Sequence, residues 1–257
     1  MKFSLEGKVA IITGAAGDIG IAIANSLAET GANLVLADND LKRLDIASKQ
    51  ISADKSRILT VPTDVTKTDE VEALMKASVD KFKRLDILIT AAGIQIRKPA
   101  IEFTKSEWEK VLEINLSGTF FCCQAAAKHM MSQKKGKIIL ISSLTAEIGI
   151  PNMLPYVASR GAIKQVSKAL AVEWAQYGIN VNCIGPGRIK TKMTEDVFSD
   201  EKTKESFMHL IPMGRPGLPS DLTGLAVFLA SDASDYITGQ SIYVDGGWLA
   251  SGGSPLK

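Results

Sequence analysis

A glycine-rich turn close to the N-terminus limits what this chain can fold into more than any other feature. The apolar, β-branched run Val9-Ala10-Ile11-Ile12 leads directly into Thr13-Gly14-Ala15-Ala16-Gly17-Asp18-Ile19-Gly20, and over 19–29 apolar residues recur three and four apart. A strand, a tight turn and a helix therefore follow one another without a linker. Glycine lets the backbone turn sharply and come close to a bound group, and the first turn of a helix offers unpaired N–H groups at the positive end of its dipole. The turn predicts a grip for the diphosphate of a dinucleotide, formed by Gly14, Gly17, Asp18, Ile19 and Gly20.

The rest of the chain repeats this alternation. Short runs rich in Val, Ile and Leu return at 34–36, 58–61, 87–89, 138–141, 179–182 and 242–244, nearly continuous in hydrophobe, as strands are when helices cover both faces of a parallel sheet. Segments with helical spacing lie between them, at 71–82, 108–131 and 156–177 among others. The expectation is an α/β fold of three layers, α/β/α: a doubly wound (Rossmann) seven-stranded parallel sheet with helices on both faces. No proline- or serine-rich linker interrupts it, so 1–257 reads as one domain, and the polar, strandless stretch 188–215 reads as a substrate lid.

Composition narrows the partners. Hydrophobic residues make up 46% and charged residues 23%, the mixture of an ordinary globular chain, and the net charge of +2 is spread out, which argues against nucleic acid. Cys122, Cys123 and Cys183 show no metal-ligand spacing and cannot all pair, so no metal and a reducing compartment are expected. With neither a leader pattern nor an apolar run of about 18 residues, the chain is expected in the cytoplasm, away from membrane.

Cofactor choice turns on the end of the second strand, where Asp38 stands 18 residues beyond Gly20. A carboxylate there accepts hydrogen bonds from the adenosine ribose and repels the 2′-phosphate of NADP, so NAD is expected and NADP placed second. Lys42 and Arg43, a few residues on, soften that repulsion.

Downstream of the fifth apolar run, Ile141-Ser142-Ser143 is followed 13 residues after Ser143 by Tyr156, in Pro155-Tyr156-Val157-Ala158-Ser159-Arg160-Gly161-Ala162. Tyr156 and Arg160, four apart, share one helix face. With the glycine turn, Asp64-Val65, Asn115 in INLSGTF, and Pro186-Gly187 with Thr191, these residues resemble the short-chain dehydrogenase/reductase family over essentially the whole length. The resemblance implies an NAD-dependent oxidoreductase that moves hydride between nicotinamide C4 and a secondary alcohol or ketone. It implies Tyr156 as general acid/base, Ser143 holding the same substrate oxygen, and Asn115 holding a water in the proton relay. It also implies Asp64, Val65, Ala92, Gly93, Pro186, Gly187, Ile189 and Thr191 around the cofactor, with Tyr156 and Arg160 at its nicotinamide ribose. A homotetramer or homodimer follows from the same resemblance, with 243–257 between subunits.

Three departures from the family pattern have consequences. Arg160 stands where the family has lysine. A unit charge about 4 Å away at an effective dielectric of ~20 contributes roughly 4 kcal/mol whichever side chain carries it, but a planar guanidinium presents its donors differently and does not readily pass a proton. Gly17 stands one position before the family's middle glycine, giving the TGxxGxxG spacing of the extended members, and Asp18 is expected to turn its carboxylate away from the diphosphate to cap or solvate the helix start. Thr90-Ala91-Ala92-Gly93 replaces Asn-Asn-Ala-Gly, a change that bears on sheet stability.

The string Gly93-Ile94-Gln95-Ile96-Arg97-Lys98-Pro99, with Glu107-Trp108 and Glu147, is similar to the branch containing gluconate 5-dehydrogenase and deoxygluconate dehydrogenases. It points to a sugar acid or polyol, with Arg97 pairing with a carboxylate and Gln95 and Glu147 meeting hydroxyls. Met193, Phe198, Phe207 and Met208 would also suit a less polar alcohol. Two other readings stay open: a cofactor-binding protein with little catalysis because of Arg160, and an extended-type nucleotide-sugar epimerase or dehydratase because of the glycine spacing.

Overall fold

The structure is a computed structural model that describes residues 3–252 and Ser254. Of the 243–257 segment expected between subunits, 253 and 255–257 lie outside the described residues, as do Met1 and Lys2 of the N-terminus. Among the described residues seven strands form one parallel sheet: β1 (Val9–Thr13), β2 (Asn33–Asp38), β3 (Ile58–Pro62), β4 (Ile87–Thr90), β5 (Gly136–Ile141), β6 (Ile179–Pro186) and β7 (Ser241–Val244). Their order, β3-β2-β1-β4-β5-β6-β7, reverses direction between β1 and β4. Every strand anticipated from the sequence is present, and the three-layer parallel fold is the one expected.

The helices are α1 (Asp18–Glu29), α2 (Leu41–Lys49), α3 (Thr68–Phe82), α4 (Lys105–Leu112), α5 (Thr119–Gln133), α6 (Leu154–Trp174), α7 (Glu195–Ser199), α8 (Glu201–Met208) and α9 (Thr223–Ala230). Strand alternation divides the core between them. Val9 and Ile11 face a cluster built with α3, α5 and α6. Ala10 and Ile12 face another built with α1, α2 and α9. Ile11 and Ile12 are both wholly buried, one on each face, and such a side chain contributes roughly 1.5–3 kcal/mol on leaving water. Burial on both faces is why these strands read as continuous hydrophobe.

Two regions depart from the expected outline. The helix anticipated over 108–131 is interrupted at Glu113–Gly118, where six residues form a π-helical turn between α4 and α5. Asn115 and Gly118 sit in that turn, and a Cβ on Gly118 would stand 2.7 Å from the Val65 side chain. Tertiary contacts of this kind hold the bulge, and periodicity cannot register them. The stretch 188–215 has no strand but carries α7 and α8, whose Val197 and Phe207 join Ile211 and Trp248 in a small cluster of their own. The C-terminal ends of β1, β4, β5 and β6 open onto the crevice beneath that cluster, the side on which ligands bind in this architecture.

Candidate active site

Gly14 follows β1 with φ +67°, and a Cβ on it would lie 2.5 Å from the Ala92 nitrogen. At Gly20 the added atom would lie 2.3 Å from the Gly14 carbonyl oxygen. Both positions exclude a side chain, so the turn is as tight as the sequence required. Gly17 is the residue before α1, and no side chain caps that helix, which leaves the N–H groups of its first turn aimed into the crevice. The Asp18 carboxylate is turned away from them, as expected, but it does not cap its own helix: Oδ2 accepts from the Lys192 N–H at 2.6 Å, tying the turn to the segment above.

Asp38 ends β2 beside the same turn. Its Oδ2 accepts from the Ala16 N–H at 3.1 Å and its Oδ1 from the Asp40 N–H at 3.1 Å. Arg43 reaches back over the turn, and its Nη2 donates to the Ala16 carbonyl at 2.9 Å. The carboxylate and the guanidinium thus both bond to the backbone of Ala16. Asp64 and Val65 follow β3; the Asp64 carboxylate accepts from Thr66, and Val65 is buried against Gly118.

Ser143 and Tyr156 line one cleft of about 120 Å³ together with Gln95, Arg97, Arg160, Pro186, Gly187, Ile189 and Thr191. Ser143 Oγ accepts from the Thr145 N–H at 3.1 Å, so its own proton remains to be donated. Tyr156 lies in the first turn of α6, and the Arg160 guanidinium carbon sits 4.9 Å from the centre of its ring. Arg160 is buried: Nη1 donates to the Ile141 carbonyl at 2.7 Å and Nε has no partner among the described residues. A Cβ on Gly93 would stand 2.5 Å from Arg160 Nη2, so glycine there is what admits the wider side chain.

Asn115 is wholly buried and its amide is committed. Oδ1 accepts from the Ile94 N–H at 2.8 Å, while Nδ2 donates to the Ile94 carbonyl at 3.0 Å and to Ser159 Oγ at 3.2 Å. The π-helical turn is therefore fastened to the loop after β4 and to α6 at once.

The three residues expected at the substrate separate. Gln95 lines the cleft, with Nε2 buried and without a partner among the described residues. Arg97 lines it too but is ion-paired with Asp196 of α7. Glu147 is not among the lining residues: it pairs with Lys164 and accepts from the Tyr243 hydroxyl, and those contacts lower its pKa. Sequence reading passed over Arg188, which also lines the cleft, directly after Pro186-Gly187. A cation beside the expected nicotinamide end was the available signal.

The comparisons with known proteins agree with this geometry. A family model described as enoyl-(acyl carrier protein) reductase matches residues 14–249. The chain is 42% identical over 249 residues to 2-dehydro-3-deoxy-D-gluconate 5-dehydrogenase of Escherichia coli, covering 96% of this chain and 98% of the relative. It is 38% identical over 249 residues to gluconate 5-dehydrogenase of Gluconobacter oxydans, with 97% of each covered. A solved gluconate 5-dehydrogenase from Burkholderia cenocepacia, in complex with NADP and tartrate, superposes with a TM-score of 0.92 at 34% identity, covering 97% of this chain and 98% of the other.

The ranking of NAD ahead of NADP does not survive. Besides the Burkholderia protein, solved relatives from Agrobacterium tumefaciens (TM-score 0.87, 38% identity, 97% and 99% covered) and Beutenbergia cavernae (TM-score 0.90, 33% identity, 98% and 100% covered) also hold NADP, in the latter at low occupancy. The physical reason lies in Asp38, whose two oxygens are taken up by backbone N–H groups while Arg43 brings a positive charge to the same turn. A 2′-phosphate there would not meet a bare carboxylate. Glycine turn, buried serine, tyrosine over a guanidinium and whole-length similarity converge: the chain belongs to the short-chain dehydrogenase/reductase family of nicotinamide-dependent oxidoreductases.

Proposed function

We propose that this protein oxidises a secondary hydroxyl of a sugar acid, or reduces the matching ketone, with Tyr156 and Ser143 as the residues that handle the reacting oxygen. The observation that carries the reading is the sharing of one small cleft by Ser143, Tyr156 and Arg160 at the ends of β5 and α6. The residues fit a dinucleotide: the turn at Gly14 and Gly20 has no room for side chains, and the start of α1 is uncapped. Gly14, Gly17, Ile19 and Gly20 would hold the diphosphate, Asp38 and Arg43 the adenosine ribose, and Pro186, Gly187, Ile189 and Thr191 the nicotinamide end. The bound nicotinamide supplies the hydride acceptor or donor.

Tyr156 takes the proton of the substrate hydroxyl in oxidation and returns one to the carbonyl oxygen in reduction. Ser143 donates its free proton to the same oxygen, fixing it against Tyr156. Arg160, its guanidinium carbon 4.9 Å from the ring centre, favours negative charge on the phenolic oxygen as it develops. Asn115 is a positioning residue that holds the loop at Ile94 and Ser159 in register. Residues 188–215 act as the lid of a one-domain enzyme, which we expect in the cytoplasm as a homotetramer or homodimer. The experiment is Tyr156→Phe: cofactor binding should be retained while turnover of a D-gluconate and polyol panel falls by about 10²–10⁴. Comparable turnover in the variant would remove Tyr156 from the reaction.

A further inference from the structure

Arg188 is a cation of the cleft for which the described residues supply no hydrogen-bond or ion-pair partner. Its guanidinium packs against two neighbouring aromatic rings, 4.8 Å from the centre of Phe207 and 5.5 Å from that of Trp248, which themselves lie 6.5 Å apart. Contact of this kind restrains the group through its π face and leaves its N–H donors free for another partner. Among the described residues no carboxylate pairs with it and no hydrogen bond reaches its side chain, and Nε is buried without a partner. Burial works against its charge, as does the neighbouring Arg97. A side chain so placed lacks an anion.

Arg97, the obvious receptor for a carboxylate, already has one. It is ion-paired with Asp196 of α7 and its Nη2 stands 3.4 Å from Gln95 Oε1. A substrate carboxylate would have to displace a lid residue to use it. Arg188 requires no displacement, lines the same cleft as Ser143 and Tyr156, and is near enough to Tyr156 to feel its charge. We propose that Arg188 is the residue that receives the carboxylate of the substrate, with Arg97 holding the lid down through Asp196. The proposal rests on the sugar-acid reading above and assigns its specificity to one side chain.

The test compares D-gluconate with its neutral counterpart D-glucitol in the wild type, Arg188→Met and Arg97→Met. The preference in kcat/KM for the acid should fall on the order of 30-fold in Arg188→Met, as for loss of a charged hydrogen-bonded pair. It should change far less in Arg97→Met. An equal loss on both substrates in Arg188→Met would mean that the side chain only packs the lid and would overturn the proposal. So would a loss of acid preference confined to Arg97→Met. Calorimetric titration of the NADPH-loaded protein with D-gluconate, a pairing in which no hydride can move, provides a readout independent of turnover: affinity should be present in the wild type and lost in Arg188→Met. Binding through Arg188 without turnover of either compound would defeat the proposed reaction alone, whereas turnover of D-glucitol with no affinity for D-gluconate would defeat the role of Arg188 alone.

Discussion

At the residue scale, the substitution of arginine for lysine at 160 has a structural account. Arg160 is buried, donates to the Ile141 carbonyl at 2.7 Å and lies under the Tyr156 ring. Lysine at the same place would keep the charge but lose both the guanidinium contact with the ring and the fixed direction of its donors. Arg160→Lys is therefore expected to leave turnover unchanged or lower and to reduce Tm by about 3 °C, the effect of roughly 1 kcal/mol in a chain of this size. A large rise in turnover, measured with saturating cofactor, would show instead that the arginine hampers the tyrosine. Tyr156, Ser143 and the glycines were legible because their chemistry demands particular residue types at particular spacings. The commitment of Arg97 to Asp196 was not, since it joins residues 99 positions apart across the cleft. Nor was the partnership of Glu147 with Lys164 and Tyr243, which draws it into the fold rather than toward a substrate.

At the scale of elements, β1, β2, β4, β5 and β6 could be read directly because they are almost wholly buried, and the less buried β3 and β7 from their β-branched runs, whereas the π-helical turn at Glu113–Gly118 could not, because Ile94, Ser159 and Val65 impose it from elsewhere in the chain. The lid escaped detailed reading for a related reason. Its helices α7 and α8 are short and mostly exposed, and the features that hold them are distant: Arg97 on Asp196, Asp18 on the Lys192 N–H, and Trp248 against Phe207. Asp18 occupies the position where relatives commonly carry glycine, and its carboxylate couples the cofactor turn to the lid. Removing that acceptor in Asp18→Ala should speed amide exchange across 190–199 by about tenfold, the loss of one charge-assisted hydrogen bond. The KM for the alcohol substrate should rise with it while α1 stays protected. Exchange that rises equally in α1 would mean that Asp18 merely supports its own helix.

At the scale of the whole molecule, the charges divide between the two ends of the sheet. The site end holds Arg97, Arg160 and Arg188, and the opposite end carries a network in which Lys8 and Lys135 both pair with Asp232, while buried Lys137 pairs with Asp235. The pairing holds the Asp232 carboxyl down at about 2 from an ordinary 3.8, chiefly through Lys8 and Lys135. A carboxylate with a depressed folded-state pKa adds stability that is fully present above its unfolded value and is lost as pH falls through its folded value. For Asp232 that window runs from about pH 4 down to about pH 2. Because its side chain is 47% exposed, water screens the pairs and their contribution is modest. Asp232→Asn removes that contribution at every pH, so the variant should be less stable than the wild type near neutrality. The gap in denaturant midpoint should narrow as the pH is lowered through the window and close near its lower end. A gap that persists unchanged at about pH 2 would show that Asp232 stabilises this end of the sheet by packing or hydrogen bonding that survives protonation, and not by its charge.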